Sequence, residues 1–409
     1  MREMKDSGVK WIGEIPVTWN VYRNKNAFVC SKDLVGRKSS GTQLLSLTTK
    51  GIKLKDINNA EGKLPESFDT YQYVKKDEMV MCLFDLDCSA VFSGLSPYDG
   101  MISPAYKVLT CTDRMEPKYA DYWFQYISHG RKFNHYAKNI RYTLSYEEFS
   151  ALPMLFPGRE EQIRISNYLD AKCSKINEII EKQQAIIEKL KAYKLSYINE
   201  ITNVNEGIKC HLGFIGQLKN GFNFTDTSEG HKIKFLGVGD FKGNFFVDKE
   251  DMFSTIILEG SVAEDYMLRS GDIIFVRSNG SKELVGRAVM VNNIEYPVTY
   301  SGFCIRFRNI RPDIIDSKFL LYYFRSFDFR KQLEKYSQGS NISNLNQELL
   351  SSLQFTIPSM DYQKNVLDAM QEKCKEIDNA IAKFEGINNK LQEYKKSLIY
   401  EVVTGKKEV

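Results

Sequence analysis

Residues 159–201 read REEQIRISNYLDAKCSKINEIIEKQQAIIEKLKAYKLSYINEI, and this stretch determines how the chain is organised. Side chains of one stripe recur in it every three or four positions, all of them apolar except Gln183 and Lys194, and no proline interrupts them. Such spacing over about five heptads is typical of a helix in a coiled coil. The apolar positions are Ile165, Leu169, Cys173, Ile176, Ile180, Ile187, Leu190, Tyr197 and Ile201. The pattern predicts one helix of about 40 residues, or roughly 60 Å at 1.5 Å per residue.

The chain contains this pattern twice. Shifted by 201 residues, Leu144–Glu200 aligns with Leu345–Glu401 without a gap, and 19 of the 57 positions are identical. A period near 200 is too long for a solenoid, whose units contain roughly 20–50 residues. The sequence therefore indicates a duplicated module, in which a globular segment precedes a long helix. The second apolar stripe consists of Val366, Met370, Cys374, Ile377, Ile381, Phe384, Leu391, Leu398 and Val402, with Asn388 and Lys395 as its polar positions.

A helix of this length cannot bury its apolar stripe within a small domain. We therefore expect the two copies to pack on each other as an antiparallel coiled coil, with the domains at opposite ends. The residues expected at the helix–helix interface are Ile176, Ile180, Ile187, Leu190, Ile377, Ile381, Leu391 and Leu398. The alternative is two separate helices, each folded onto its own domain.

The remaining segments have the pattern of an α+β fold. We expect domains at 1–158 and 206–358, with long helices at 159–205 and 359–409. Apolar runs at 78–84, 106–110, 272–277 and 303–308 predict strands between Gly, Asn and Asp turns. An aromatic helix is predicted from Lys118 and again from Lys318, where the two halves match at an offset of 200.

Composition favours an ordinary globular protein. Of the 409 residues, 43 % are hydrophobic and 26 % are charged, and the net charge is +4. No apolar run of about 18 residues predicts a membrane span, and the amino terminus lacks the apolar core of a secretion signal. Eight cysteines without a CxxC pair favour a reducing cytoplasm over a disulfide framework or a zinc site. We therefore expect a cytoplasmic protein without a resident metal.

Motifs that would indicate catalysis are weak. Residues 235–239, FLGVG, fit the FxGxG string of adenine methyltransferases, but a turn and a strand are predicted after it, and the chain has no Pro-Pro pair. There is no GxxxxGK phosphate loop. Asp85 and Asp87 could share one face of a strand, but a single carboxylate pair is more typical of a solvated loop. These absences favour binding over catalysis.

Polar, basic and aromatic loops are the best candidates for a binding surface. Arg and Asn side chains make the bidentate contacts that distinguish guanine and adenine in the major groove. Any one of these residues could instead belong to an ordinary solvated loop. The candidate DNA-binding residues are Lys50, Lys53, Lys138, Asn139, Arg141 and Tyr142 in the first half, and Arg277, Ser278, Asn279, Lys282 and Arg287 in the second.

The whole chain resembles the specificity subunit of type I restriction-modification systems. Its opening, DSGVKWIGEIPVTWN, looks like the amino terminus of that family, and SGDIIFVRSNGSKELVGR at 270–287 looks like its strand-and-turn element. Both halves end in a Pro-x-x-x-x-Gln boundary, at Pro157–Gln162 and Pro358–Gln363, before the long helix. The first half departs from the pattern, with Lys76-Asp77-Glu78 where the second has Ser270-Gly271-Asp272.

The resemblance implies a non-catalytic DNA reader. Two α/β target recognition domains would each recognise one half of an asymmetric, bipartite site on double-stranded DNA, and the antiparallel helices would set the distance between them. The chain would scaffold two modification subunits, which hold S-adenosylmethionine and methylate adenine at N6, and two ATP- and Mg-dependent restriction subunits, with no cofactor of its own. The alternatives are a protein-interaction scaffold that binds no DNA, and a fused nuclease or methyltransferase with degenerate motifs.

Overall fold

The chain is organised as two compact units. A computed structural model describes residues 2–56, 65–86, 92–137, 142–204, 206–224, 229–241, 243–336 and 344–409. Unit 1 comprises Met1–Gln183 and Glu385–Val409, and unit 2 comprises Gln184–Phe384. Each unit therefore contains one globular segment and a part of each long helix. The segments predicted from sequence follow the order of the chain, whereas the units follow the packing, which divides both helices.

Unit 1 begins with short strands and continues into the first long helix. Its strands are β1 (Met4–Asp6), β2 (Glu14–Pro16), β3 (Asn20–Arg23), β4 (Phe28–Ser31), β5 (Leu45–Thr48), β6 (Gly51–Leu54), β7 (Gln72–Val74), β8 (Met79–Met81), β9 (Ser93–Leu95), β10 (Gly100–Ile102), β11 (Lys107–Cys111) and β12 (Pro153–Phe156). The helices are α1 (Pro117–His129), α2 (Tyr146–Ala151) and α3 (Arg159–Thr202), of which α3 extends into unit 2.

Unit 2 contains the second globular segment and most of the second long helix. Its strands are β13 (Ile208–His211), β14 (Gly216–Asn220), β15 (His231–Leu236), β16 (Phe246–Val247), β17 (Ser254–Leu258), β18 (Ile273–Val276), β19 (Ala288–Val291), β20 (Val298–Tyr300), β21 (Cys304–Asn309) and β22 (Gln354–Ile357). The helices are α4 (Leu212–Ile215), α5 (Ser317–Phe324), α6 (Phe327–Tyr336), α7 (Gln347–Ser352) and α8 (Met360–Val403), of which α8 ends in unit 1.

Each unit is built on an antiparallel sheet with equivalent strand order. The order is β4-β11-β8-β9 in unit 1 and β14-β21-β18-β19 in unit 2, where β16 joins β19 in parallel. Every residue of β18 is buried, as expected for an apolar strand that is covered on both faces. Beside this sheet, β17-β15-β20 forms a second sheet in unit 2, and small two-stranded pairs, such as β5 with β6, complete unit 1. The shared order identifies the duplicated framework.

The predicted strands are present, and β8 and β18 begin one residue later than predicted because an acidic residue belongs to the turn before each of them. Glu78 Oε2 accepts a hydrogen bond from the Lys75 backbone N–H at 2.8 Å before β8 begins. Asp272 Oδ2 accepts one from the Arg269 N–H at 2.7 Å before β18 begins. The sequences Lys76-Asp77-Glu78 and Ser270-Gly271-Asp272 therefore form equivalent turns. The middle residue has a positive φ in both, 66° at Asp77 and 95° at Gly271.

The aromatic helices form much of each core. In α1, Tyr119, Trp123 and Phe124 have no exposed side-chain surface, and in α5 the same holds for Phe319 and Leu320. Trp123 and the rings around it lie in a core that also contains Leu169 and Cys173 of α3. The aromatic runs at 118 and 318 therefore form helices, as predicted, and these helices connect each sheet to the long helices.

The two Pro-x-x-x-x-Gln boundaries form the same hydrogen-bond network. Gln162 is 1 % exposed, and its Nε2 donates to the carbonyls of Pro157 and Arg114, both at 2.9 Å. Its Oε1 accepts from the Glu116 N–H at 2.8 Å, just before α1. Gln363 makes the equivalent contacts in unit 2, with Pro358, Ile314 and Asp316 as partners. Each glutamine therefore attaches the start of a long helix to the loop before an aromatic helix.

Segments of both long helices pack together in each unit, with antiparallel polarity. In unit 1, Lys395 Nζ of α8 donates to Asn177 Oδ1 of α3 at 2.9 Å, and Leu398 joins the core containing Cys173. In unit 2, Lys194 Nζ of α3 pairs with Asp378 of α8 at 2.7 Å. The α+β fold with paired antiparallel helices is confirmed. The alternative of separate helices, each on its own domain, is wrong because α3 and α8 contact each other in both units.

Two further expectations concern membrane-spanning helices and disulfide bonds. No described helix is long and apolar enough to cross a membrane. The seven cysteines within the described ranges are free thiols: Cys30, Cys82, Cys111, Cys173, Cys210, Cys304 and Cys374.

Candidate nucleic-acid interface

The strongest candidate surface in unit 2 is the loop between β18 and β19. Its base is closed by backbone hydrogen bonds from Gly286 N–H to the Val276 carbonyl at 2.8 Å and from Val276 N–H to the Arg287 carbonyl at 2.9 Å. Because β18 is held by β19 on one side and β21 on the other, the start of the loop is fixed. A rigid support of this kind is what a base-contacting side chain requires.

Arg277 lies at the start of this loop, between two neighbouring segments. Its N–H donates to the Phe303 carbonyl at 2.7 Å, and its own carbonyl accepts from the Leu345 N–H at 2.8 Å. The guanidinium Nη1 lies 3.4 Å from the Gly302 carbonyl, and this contact uses only some of the N–H donors of the guanidinium. The remaining N–H groups of this half-buried side chain are able to donate to an acceptor outside the protein.

Ser278 and Asn279 extend the surface from Arg277. Ser278 forms an isolated β-bridge with Asn344. Asn279 Oδ1 accepts from the Ser281 N–H at 2.8 Å and so shapes the turn, while its amide NH₂ has donors left for a ligand. Lys282 begins the short 3-10 helix Lys282–Leu284. Arg277, Ser278 and Asn279 are consecutive and lie at the start of this loop.

Arg287 faces another part of unit 2. It lines a cleft of about 550 Å³ together with Ser196 and Asn199 of α3 and Phe327 of α6. Burial, and then the charge of Arg287, lower the pKa of the neighbouring Arg325 to about 10. The half-buried Arg287 therefore belongs to the base of the loop rather than to its tip.

Phe303 belongs to the same surface, although its sequence position gives no sign of it. This side chain is 61 % exposed and is adjacent to Arg277, because the turn Ser301–Phe303 precedes β21. Large exposed aromatic side chains next to cationic ones can contact thymine methyl groups or insert between base pairs. In the sequence, Phe303 was counted within a strand, so its exposure could not be inferred from its residue type.

In unit 1, the β5–β6 hairpin carries Lys50 and Lys53. Thr48 Oγ1 accepts from the Lys50 N–H at 3.1 Å and donates to the Gly51 carbonyl at 2.8 Å, which stabilises the turn. Gly51 has a φ of 88°, a conformation that favours glycine. Both lysines are exposed, and both line one cleft of unit 1.

The other predicted residues of unit 1 lie around position 140. Tyr142 is 36 % exposed and has a φ of 46°, and its carbonyl accepts from the Leu86 N–H at 3.4 Å. Lys138, Asn139 and Arg141 lie outside the described residues.

Each residue predicted at the helix–helix interface has more than half of its surface buried. Ile176, Ile187, Ile377 and Leu398 are buried, and Ile180, Leu190, Ile381 and Leu391 are half-buried. Two of the polar positions within the apolar stripes lack a hydrogen-bond partner for their side-chain oxygen in the described part of the chain. Asn388 is 9 % exposed in unit 1, and neither its Oδ1 nor the buried Oε1 of Gln183 has a hydrogen-bond partner among the described residues.

The weak catalytic motifs gain no support from the structure. The FLGVG string ends β15 and continues into the three-residue 3-10 helix Val238–Asp240, not into an α-helix. Asp85 has a φ of 51°, and Asp87 lies outside the described residues. Within the described ranges, no group of three or more His, Cys, Asp or Glu residues could hold a metal ion.

Comparison with known proteins connects this surface to a family. Residues 210–393 match the type I restriction modification DNA specificity domain. The chain is 25 % identical over 146 residues to the type I restriction enzyme EcoKI specificity subunit of Escherichia coli K12, covering 36 % of this chain and 31 % of that protein. It is 26 % identical over 286 residues to the MjaVIII specificity subunit of Methanocaldococcus jannaschii, covering 63 % of each. The matched stretches therefore span less than two-thirds of both relatives.

A solved structure extends the likeness to nearly the whole chain. One chain from a study of complex assembly and conformational transition of the type I R-M system superposes with a TM-score of 0.70. The superposition covers 96 % of this chain and 99 % of that one, at 11 % sequence identity. At this identity, the likeness shows a shared fold alone. Together with the sequence matches, it confirms the resemblance drawn from the motifs.

Proposed function

Because this chain is a relative of the specificity subunits of type I restriction-modification systems, we propose that it recognises a DNA sequence on behalf of a larger enzyme. Each unit would bind one half of a bipartite, asymmetric site on double-stranded DNA. The observation that carries the proposal is a duplicated framework with divergent loops. The sheets and boundary glutamines are equivalent in both units, whereas Arg277–Arg287 has no counterpart of similar sequence in the first half.

The chemistry of the unit 2 loop supports base recognition. Arg277 and Asn279 have unused donors on a loop whose base is fixed by the sheet. Arginine can bind guanine, and asparagine can bind adenine, through paired hydrogen bonds in the major groove. Lysines such as Lys50 and Lys53 would bind phosphates, which adds affinity without sequence information.

Exposed residues that are identical in the two helices support a scaffolding role. Tyr193 and Tyr394 occupy equivalent positions in the repeat and are 50 % and 54 % exposed, so packing within the chain does not explain their identity. Tyrosine is enriched at protein interfaces, because it combines a large apolar ring with a polar group. Two equivalent exposed sites fit two copies of one partner, which we propose to be the modification subunit.

The catalytic groups would reside in the partners. S-adenosylmethionine would bind the two modification subunits, and ATP and Mg would serve the two restriction subunits. This chain would contribute recognition and assembly, without a catalytic residue. The competing proposal, a scaffold that binds no DNA, is favoured by the weak net charge of +4.

The test compares base methylation across the genome in cells that express the wild-type chain or a variant with its partner subunits. We expect Arg277→Ala and Phe303→Ala each to relax specificity in one half-site only, since both residues belong to unit 2. Loss of a base contact should cost about 1–3 kcal/mol at the affected position.

Arg311→Ala is the matched control for these variants. Arg311 follows the opposite end of β21 from Phe303, and its guanidinium pairs with Asp313 at 2.9 Å. Its replacement should leave both half-sites unchanged. Changes in both half-sites with Arg277→Ala would contradict the assignment of the loop. Absence of salt-dependent duplex binding by the complex would favour the scaffold without DNA binding.

A further inference from the structure

Unit 1 contains a basic cleft that extends beyond the predicted DNA-binding loops. It has a volume of about 900 Å³ and lies between the β5–β6 hairpin, the end of α1, and segments of α3 and α8. Four lysines line it: Lys50 and Lys53 from the hairpin, and Lys395 and Lys396 from α8. Residues more than 300 positions apart in the chain therefore contribute to one cationic surface.

The positive charge in this cleft is only partly balanced. The carboxylates that line it are Asp121 and Glu181, two against four lysines. Asp121 already accepts hydrogen bonds from Gln125 Nε2 at 2.8 Å and from the Leu95 N–H at 3.3 Å. Burial raises the pKa of its carboxyl group.

The individual lysines differ in their partners. Lys50 and Lys53 have no ion-pair partner among the described residues. Lys396 Nζ lies 2.8 Å from Glu393 Oε1 in an exposed pair on its own helix, and such pairs hold a lysine weakly. Lys395 Nζ donates to the neutral amide oxygen of Asn177. Its positive charge therefore remains available to a ligand.

The internal repeat allows the surroundings of Lys395 to be compared with the equivalent position in unit 2. Lys194 is equivalent to Lys395, and Asp378 is equivalent to Asn177. In unit 2, this pair is a salt bridge, with Lys194 Nζ at 2.7 Å from both carboxylate oxygens. In unit 1, an amide replaces the carboxylate and leaves a net positive charge at the equivalent position.

The cleft also contains a polar group without a partner. Ser128 is 5 % exposed, and its Oγ makes no hydrogen bond within the described residues, although it lines the cleft. Unpaired buried hydroxyl groups are uncommon and call for a ligand or a water molecule. Lysines together with a hydroxyl group form a donor set that suits phosphate oxygens.

We propose that this cleft binds the sugar-phosphate backbone of duplex DNA, through Lys50, Lys53, Lys395 and Lys396. The inference rests on the proposed function and identifies a surface that includes the long helices as well as a recognition domain. The backbone is favoured over an acidic protein segment because no Phe, Tyr or Trp side chain lines the cleft in the part of the chain that the structure describes. Protein interfaces usually depend on such buried aromatic anchors.

The test measures how salt affects binding of the full chain, in complex with its partners, to a mixed-sequence duplex of about 40 base pairs. Each phosphate contact contributes about −0.9 to the slope of log K against log salt concentration. We expect Lys395→Gln to make the slope less negative by about this amount. Asn177→Asp should do the same, because it creates in unit 1 the ion pair that Lys194 makes in unit 2. Asn177→Asp adds an ion pair to the helices, so weaker DNA binding by this variant would not reflect unfolding.

One control separates the cleft from general electrostatics. Lys375→Gln removes an exposed lysine of α8 in unit 2 and should not change the slope. If Lys395→Gln and Asn177→Asp both show the same salt slope as the wild type, the cleft proposal is overturned, but the proposed function is not. Competition by a polyglutamate peptide with unchanged DNA slopes would assign the cleft to an acidic protein and also overturn it. Failure of the wild-type complex to bind duplex DNA would overturn the proposed function as well.

Discussion

At the scale of single residues, the two boundary glutamines show how a side chain can hold a fold together. Gln162 and Gln363 are each 1 % exposed, and each makes three hydrogen bonds to backbone groups. Removing the amide leaves buried N–H and C=O groups without a partner. Each such group costs about 1–3 kcal/mol, which is more than one hydrogen bond contributes in net terms.

We therefore predict that Gln162→Leu or Gln363→Leu lowers the free energy of unfolding by at least about 2 kcal/mol. Denaturation in urea, followed by circular dichroism, would measure the change. Gln371→Leu, at an exposed position of α8, is the control and should be nearly neutral. Equal stability of all three variants would show that the boundary hydrogen bonds contribute little.

The pKa of His129 depends on the charges of the unit 1 cleft. Burial of its ring, and then the nearby charges of Lys396 and Lys395, lower the pKa of this histidine below its usual 6.5. Removing one positive charge stabilises the imidazolium form and so raises the pKa. We predict an upward shift in Lys395→Gln and in Lys396→Gln, measured by NMR titration of the imidazole signals. Lys375→Gln should leave the titration unchanged, and equal shifts in all three variants would argue against local charges as the cause.

At the scale of whole elements, the long helices could be predicted well and the binding clefts could not. Helical spacing is a local pattern, so the sequence gives α3 and α8 to within a few residues of their bounds. The equivalence of the turns before β8 and β18 is harder to predict from the sequence, because Glu78 and Asp272 differ in size yet make the same backbone contact. The exposure of Phe303 depends on tertiary neighbours. Likewise, no local sequence pattern predicts that Lys395 and Lys50 line the same cleft.

One glycine makes α8 weaker than its pattern suggests. Gly386 lies in the helix interior, and a Cβ added there would meet no atom within 4 Å. Its counterpart in α3 is Ala185. We predict that Gly386→Ala raises the free energy of unfolding by about 0.5–1 kcal/mol, because glycine loses more backbone entropy in a helix than alanine does. The reverse change, Ala185→Gly, should lower it by a similar amount, and thermal unfolding would compare the two. A destabilised Gly386→Ala variant would mean that this position needs glycine for another reason.

At the scale of the whole molecule, duplication supports the proposed recognition of an asymmetric sequence. The framework is repeated, since sheet order, aromatic helix and boundary glutamine recur in both units. The surfaces have diverged, as shown by the neutral Asn177 in one unit and the charged Asp378 in the other. A repeated framework keeps equivalent partner sites, whereas divergent surfaces allow two different half-sites. The same division of roles predicts that the helices determine the length of the unspecified spacer.

That last prediction can be tested by lengthening both helices together. Lys194 pairs with Asp378 in an antiparallel arrangement, which places Glu188 of α3 level with the region of Phe384 in α8 within unit 2. Four residues inserted after each of these positions would lengthen each helix by about 6 Å and add a rotation of about 40°. Six ångströms is close to two base-pair steps of about 3.4 Å. We expect methylation at the same two half-sites with a spacer longer by about two base pairs.

An insertion into α3 alone is the informative control. It shifts the register of α3 against α8 and should weaken the pairing of Lys194 with Asp378, so that the complex loses activity without acquiring a new spacer. The double insertion retains that pairing, although four added residues locally unwind a coiled coil. Methylome sequencing would identify the spacer in each case. If the double insertion still assembles with its partners and methylates sites with the original spacer, the helices do not set the distance between the half-sites.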